Sequence, residues 1–111
     1  MQPGNYQLNI YQGDTHRWSF RLWADEDQSS PVDMSGATAA AEIRDKPGGT
    51  VLTDMGCSIT GNSIDMLLTA ANSRLIVVNG VWDLEITFAS GDVQTVLKGK
   101  VLLTADVTHS S

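Results

Sequence analysis

The sequence has little of what catalytic and metal sites are commonly built from. Cys57 is its only cysteine, so neither an intrachain disulfide nor a paired-cysteine metal or redox motif can form. His16 and His109 are its only histidines, and no Gly-x-Ser-x-Gly segment offers a nucleophile for either of them. A phosphate-binding loop, a dinucleotide fingerprint and zinc-ligand spacing are absent too. These absences indicate a protein that is not an enzyme and needs no cofactor.

Basic residues are also scarce. Seven Lys and Arg against thirteen Asp and Glu give a net charge of -6, and no basic stripe follows any segment. A nucleic-acid partner is therefore not expected, because phosphate binding needs clustered positive charge. No apolar run approaches the roughly 20 residues of a membrane helix, and the N-terminus resembles no signal peptide. We expect a protein that is made in the cytoplasm and stays soluble.

The clearest pattern that is present lies at residues 80–88. Trp82, Leu84, Ile86 and Phe88 alternate with polar residues between two turn sequences. A period of two predicts a strand with one buried and one wet face, and Trp82 is expected at the middle of the core. Asp83 and Glu85 share the wet face, where an ordinary solvent-facing role is favoured over acid–base chemistry.

The other segments predict an all-β chain of about seven strands that forms a single domain over residues 1–111. Turn residues recur at the spacing of a β-sandwich or a small barrel, and the pattern leaves the strand order open. Thr69 is expected to cap one short helical turn. Gly99 predicts a bulge or a close backbone approach. The predicted strands cover residues 6–11, 17–23, 37–44, 50–53, 64–68, 80–88 and 93–103.

An acidic triplet, Asp25, Glu26 and Asp27, lies in the polar loop after the second strand. Calcium takes six to eight oxygens from residues spaced through a formed loop, so a solvated loop is favoured over a cation site. The sequence leaves cation binding by this loop open.

Four residues are candidates for a protein interface: Tyr11, Arg17, Arg21 and Trp23. They lie off the apolar face of the first two predicted strands. Tyr, Trp and Arg are the residue types that anchor interfaces, and an exposed edge strand can pair with another chain. Scattered surface residues would look the same in the sequence.

Several short pieces in a fixed order carry a resemblance to a known family. The pieces are residues 6–10, 12–15, 31–37, 41–45, 67–71, 80–85, 97–101 and 106–108, so the resemblance spans nearly the whole chain. Together they resemble small virion proteins of tailed bacteriophages and are similar to the N-terminal domains of upper baseplate proteins. The resemblance implies an immunoglobulin-like β-sandwich of antiparallel strands with a structural role in the virion and no cofactor, catalysis or small-molecule substrate.

The resulting hypothesis is a tail or baseplate adaptor or hub that assembles with copies of itself and with other virion proteins. The chain has no long C-terminal extension, and this favours an adaptor over a receptor-binding protein. Two alternatives stay open. One is a decoration protein of the capsid; the other, of a different class, is a carbohydrate-binding module that uses Trp23 and the acidic loop.

Overall fold

The structure is a computed structural model, and it describes residues 4–22, 32 and 34–105. Trp23, the acidic triplet at residues 25–27 and His109 lie outside this part of the chain. The described residues form eight strands and one short helix. The elements are β1 (Gly4–Asn5), β2 (Leu8–Tyr11), β3 (His16–Arg21), β4 (Thr38–Arg44), β5 (Val51–Thr60), β6 (Ser63–Leu68), α1 (Ala70–Ser73), β7 (Gly80–Thr87) and β8 (Val93–Thr104).

The strands form two sheets that share one long strand. In the first sheet the order is β1 and β2, then β8, β7, β4 and the first half of β5. The second half of β5 pairs with β6, which pairs with β3, to form the second sheet. The pairing partner changes between Met55 and Gly56, so β5 turns the corner from one sheet to the other. The sequence predicted only the start of this strand, residues 50–53.

The core lies between the inner faces of the two sheets. β7 supplies Trp82, Leu84 and Ile86 at exposures of 2% or less, and β6 supplies Ile64, Met66 and Leu68 from the other side. The alternation predicted for β7 is therefore confirmed, with Trp82 buried at the centre of the first sheet. The predicted all-β sandwich is also confirmed. Thr69 caps α1 as expected, since its Oγ1 accepts from Asn72 N at 3.2 Å.

The N-terminal strands differ from the expectation that all strands are antiparallel. Both β1 and β2 run parallel to β8, with Gly4 opposite Leu97 and Leu8 opposite Val101. No hairpin joins β2 to β8, because the chain leaves β2 through the turn at residues 12–15 and enters the second sheet as β3. A strand that is not joined by a hairpin is free to pair in the parallel direction.

Between β1 and β2 the backbone approaches the core closely. The indole Nε1 of Trp82 donates to the Tyr6 carbonyl at 2.7 Å. A Cβ built on Gly99 would overlap the same Tyr6 oxygen. Gly99 is therefore a place where another backbone comes near, which is one of the two readings that the sequence allowed.

The bulge of β8 lies at Val96 instead. Leu84 pairs with Leu97 and Glu85 with Thr95, so Val96 is the extra residue. A bulge shifts the register by one residue and moves the residues before it to the other face. Val93, expected on the same face as Leu97, is exposed as a result.

Within residues 4–22, 32 and 34–105, the two strand edges left without a pairing partner lie on the same side of the sandwich. β5 joins the sheets on one side, and the outermost strands β2 and β3 flank the other. Two contacts span this gap: Tyr6 packs edge-to-face on Phe20 with ring centroids 5.3 Å apart, and Tyr11 N donates to His16 Nε2 at 3.1 Å.

Candidate interaction surfaces

Arg17 and Arg21 lie on the outer surface of the second sheet. Both side chains are exposed, and they alternate with the inward-facing Trp18 and Phe20 on β3. Register places Arg17 opposite Leu67 and Arg21 opposite Ser63 on β6. We call this outer surface of β3, β6 and the second half of β5 the arginine face.

The rest of the arginine face is made mostly of small side chains. Ser19 lies between the two arginines and donates to Asp65 Oδ1 at 2.5 Å. Gly56 and Ser58 follow on β5, opposite Leu67 and Asp65. Arg17, Gly56 and Leu67 border a shallow depression of about 590 Å³. This face is open enough for the two guanidinium groups to reach a partner.

Tyr11 lies elsewhere. It is 56% exposed at the end of β2, opposite Thr104 on the outer surface of the first sheet. The structure therefore brings Arg17 and Arg21 together on one sheet and separates Tyr11 from them. Trp23, the fourth interface candidate, is not among the described residues.

Tyr11 belongs to a region with unusually exposed aliphatic side chains. Leu75, Val77 and Val78 are exposed by 55%, 66% and 47%. The Gln12 side chain donates to Ile76 O at 3.1 Å, and Asn79 Oδ1 accepts from Leu103 N at 2.8 Å. The segment is thus fixed between the end of β2 and the end of β8. We call the region the apolar end; its exposed members are Tyr11, Leu75, Val77, Val78 and Leu102.

Apart from Tyr11, no interface prediction from the sequence covered this region. Its signal is the unbroken run from Leu75 to Val78, which follows the helical turn and precedes the central strand. Only Ile76 of the run is buried, so the other three residues do not belong to the core.

The outer surface of the first sheet is charged. Asp54 on β5, Glu42 on β4 and Asp83 on β7 stand directly opposite one another on three adjacent strands. We call these three residues the carboxylate row. Arg44 Nη2 binds Glu42 Oε2 at 3.0 Å, the one ion pair found within residues 4–22, 32 and 34–105.

The carboxylate row borders a broad depression of about 810 Å³. Glu42, Arg44 and Asp83 line it from one side, and Lys98 and Lys100 of β8 line it from the other. Lys98 is opposite Asp83 in register without forming an ion pair with it. The sequence predicted that Asp83 and Glu85 point outward, but it could not place Asp54 and Glu42 beside them.

The groups considered for catalysis or metal binding are placed as follows. The His16 ring stacks on Trp18 with centroids 5.6 Å apart, and its Nε2 accepts from Tyr11 N. Cys57 is half-buried, and burial raises the pKa of its thiol, so the thiol stays protonated at neutral pH. Within the described part of the chain, no three His, Cys, Asp or Glu residues are grouped so as to hold a metal ion. No helix of that part is long and apolar enough to cross a membrane.

Comparison with known proteins identifies the family. No curated protein matches the chain. The model of a family described as LtfC-like, β-sandwich domain matches residues 2–104, which include all eight strands. LtfC is a phage tail-associated protein, which agrees with the resemblance of the sequence to proteins of phage tails. The match covers almost the whole chain, and the chain therefore belongs to the LtfC-like β-sandwich domain family.

Proposed function

We propose that this chain is a non-enzymatic structural module of a phage tail. It acts as an adaptor or hub at the tail or baseplate, where it binds copies of itself and other virion proteins. Membership of the LtfC-like family supports the tail as its location. The observation that carries the proposal of protein contacts is the apolar end.

The apolar end has the properties of a contact surface. Three large aliphatic side chains within four residues are about half exposed or more, while Ile76 between them is fully buried. Contiguous exposed apolar patches on soluble domains commonly mark interaction sites. The hydrogen bonds from Gln12 and to Asn79 hold the segment in place, so little conformational entropy is lost when a partner covers it.

The experiment is complementation of a phage that lacks the gene, with the wild-type chain or with a variant. Val77→Asp together with Val78→Asp places two charges on the apolar end without touching the core. Val93→Asp is the matched control, because Val93 is 58% exposed near the start of β8, at the opposite end of that strand from Leu102. Incorporation is measured by quantitative blotting of purified particles, and location by gold-antibody labelling of intact particles.

We expect the wild-type chain and V93D in the tail, and V77D/V78D folded but depleted from particles at least about tenfold. Wild-type levels of V77D/V78D in particles would show that the apolar end is not the contact surface. Gold label on the head would overturn the tail location in favour of a capsid decoration protein. Particles without label would overturn the proposal of a virion protein.

A further inference from the structure

The carboxylate row brings three acidic side chains side by side on neighbouring strands. Like charges directly opposite on neighbouring strands destabilise a sheet. Glu42 faces Asp54 on one side and Asp83 on the other. The Arg44 guanidinium binds Glu42 through Nη2 and donates from Nη1 to the Gly49 carbonyl at 2.8 Å, so Glu42 is the one carboxylate of the row that it pairs with. Asp54 and Asp83 have no ion-pair partner among the described residues, although Lys98 of β8 stands opposite Asp83 in register. The outer surface of the first sheet thus holds two carboxylates without a bound counter-charge.

The arginine face has the opposite pattern. Arg17 and Arg21 are exposed on an edge strand, and neither forms an ion pair with any residue in the described ranges. Asp65 lies between them and is hydrogen-bonded to Ser19. Along β3 and its neighbour the charges therefore read positive, negative, positive.

The distance between the two arginines is similar to the distance between the two unpaired aspartates. Arg17 and Arg21 are four residues apart on one strand, about 13 Å at 3.3 Å per residue. Asp54 and Asp83 are separated by two strand spacings, about 10 Å. The long, flexible arginine side chains can close this difference. Asp65, between the arginines, would then face the Arg44–Glu42 pair at the centre of the row.

We propose that the arginine face of one copy docks on the carboxylate row of a second copy, with Arg17 and Arg21 binding Asp54 and Asp83. The inference rests on the proposed assembly function and names the contact between copies. The two surfaces are the outer faces of different sheets, so the contact is heterologous. Repetition of such a contact yields a ring if the rotation closes and a filament if it does not.

Charge reversal on each side tests this contact. One variant carries R17E and R21E, and the other carries D54R and D83R. Each alone places like charges across the contact, so we expect the dissociation constant between copies to rise at least about a hundredfold. In an equimolar mixture the acidic face of R17E/R21E complements the basic row of D54R/D83R, and the intact row of the first variant complements the intact arginine face of the second. Assembly should therefore return. Sedimentation velocity of the purified full chain measures all three samples.

The matched control is K46E with R74E, which changes the net charge by the same amount as R17E with R21E. Both control residues are exposed and lie outside the two patches. We expect this control to assemble like the wild-type chain, and circular dichroism to show every variant folded. A loss of assembly in the control equal to that in R17E/R21E would overturn the specific contact in favour of a general effect of charge.

Two further results would also overturn the inference. If either patch variant alone assembles like the wild-type chain, copies meet through other surfaces, and the proposed function stands. If the wild-type chain is monomeric up to millimolar concentration, copies do not bind each other through these faces. The particle-incorporation experiment then decides the tail function independently.

Discussion

β7 and β3 carry the same sequence pattern but lie in different environments. Each alternates apolar with polar residues, and each has a tryptophan on its inner face. Trp82 of β7 is 2% exposed and donates a hydrogen bond to the Tyr6 carbonyl. Trp18 of β3 is only half-buried, and the His16 ring stacks on it.

The number of neighbouring strands explains the difference. β7 lies between β4 and β8, so strands on both sides shield its inner residues. Among the described residues β3 pairs only with β6, and none of them pairs with its other edge. An inward-facing residue of an edge strand has a neighbouring strand on one side only, so more of it contacts water. An outward-facing residue of an edge strand can reach a partner more easily. The central strand therefore stabilises the fold, whereas the edge strand presents Arg17 and Arg21.

Truncation of the two tryptophans should give the largest difference between the strands. We expect Trp82→Ala to lower the free energy of unfolding by about 3 to 5 kcal/mol, since it leaves a cavity and removes the hydrogen bond to Tyr6. Trp18→Ala should cost about 1 to 2 kcal/mol, because part of the side chain is already in contact with water. Urea unfolding followed by circular dichroism measures both. Equal losses would mean that the edge is as well shielded as the centre.

Replacement of glycine by alanine should give a smaller difference in stability, again with the greater loss next to Trp82. A Cβ at Gly99, which pairs with Trp82, would overlap the Tyr6 carbonyl, so Gly99→Ala should destabilise the fold by about 1 to 3 kcal/mol. Gly56 faces outward on β5, and a Cβ there would meet only Leu67 O at 3.9 Å. Gly56→Ala should be neutral or stabilise by up to about 1 kcal/mol. Thermal unfolding of the two variants compares them, and a destabilised Gly56→Ala would contradict the open surface near β3.

Removal of one carboxylate should give the smallest changes in the free energy of unfolding, with opposite signs on the carboxylate row and the arginine face. Asp54→Asn removes one of two carboxylates that face each other and should stabilise the isolated chain by about 0.2 to 1 kcal/mol at low salt. Asp65→Asn weakens the hydrogen bond from Ser19 and relieves no repulsion, so it should destabilise by roughly 0.5 kcal/mol. Unfolding in low and in high salt tests this, because salt should reduce the gain from Asp54→Asn. A loss of stability in both variants would mean that the carboxylate row is not strained.

The period-two pattern was sufficient to predict most strands and the sides of their residues. Ala37 to Arg44 was predicted as a strand despite its helix-favouring alanines, and β4 covers Thr38–Arg44. Outward positions for Arg17 and Arg21 follow from the same alternation. The bulge at Val96 could not be predicted, since an extra residue in one strand is defined only against its partner.

The candidate surfaces were likewise only partly predictable from the sequence. Their individual residues were visible in the sequence, among them Asp83, Arg17 and the apolar run from Leu75 to Val78. The neighbours of those residues were not. Asp54 and Glu42 are twelve residues apart in the chain, and Asp83 follows much later, yet strand order places the three side by side.

The sequence by itself determined the all-β class, the inward and outward alternation of the strands, the buried Trp82 and the cap at Thr69. These depend on neighbours in the chain, where the pleat of a strand or the first turn of a helix fixes the geometry. Only the tertiary structure decided which strands became edges, that β1 and β2 run parallel to β8, and that β5 serves both sheets. Pairing between distant segments depends on how the whole chain closes around one core, and local periodicity carries no information about it.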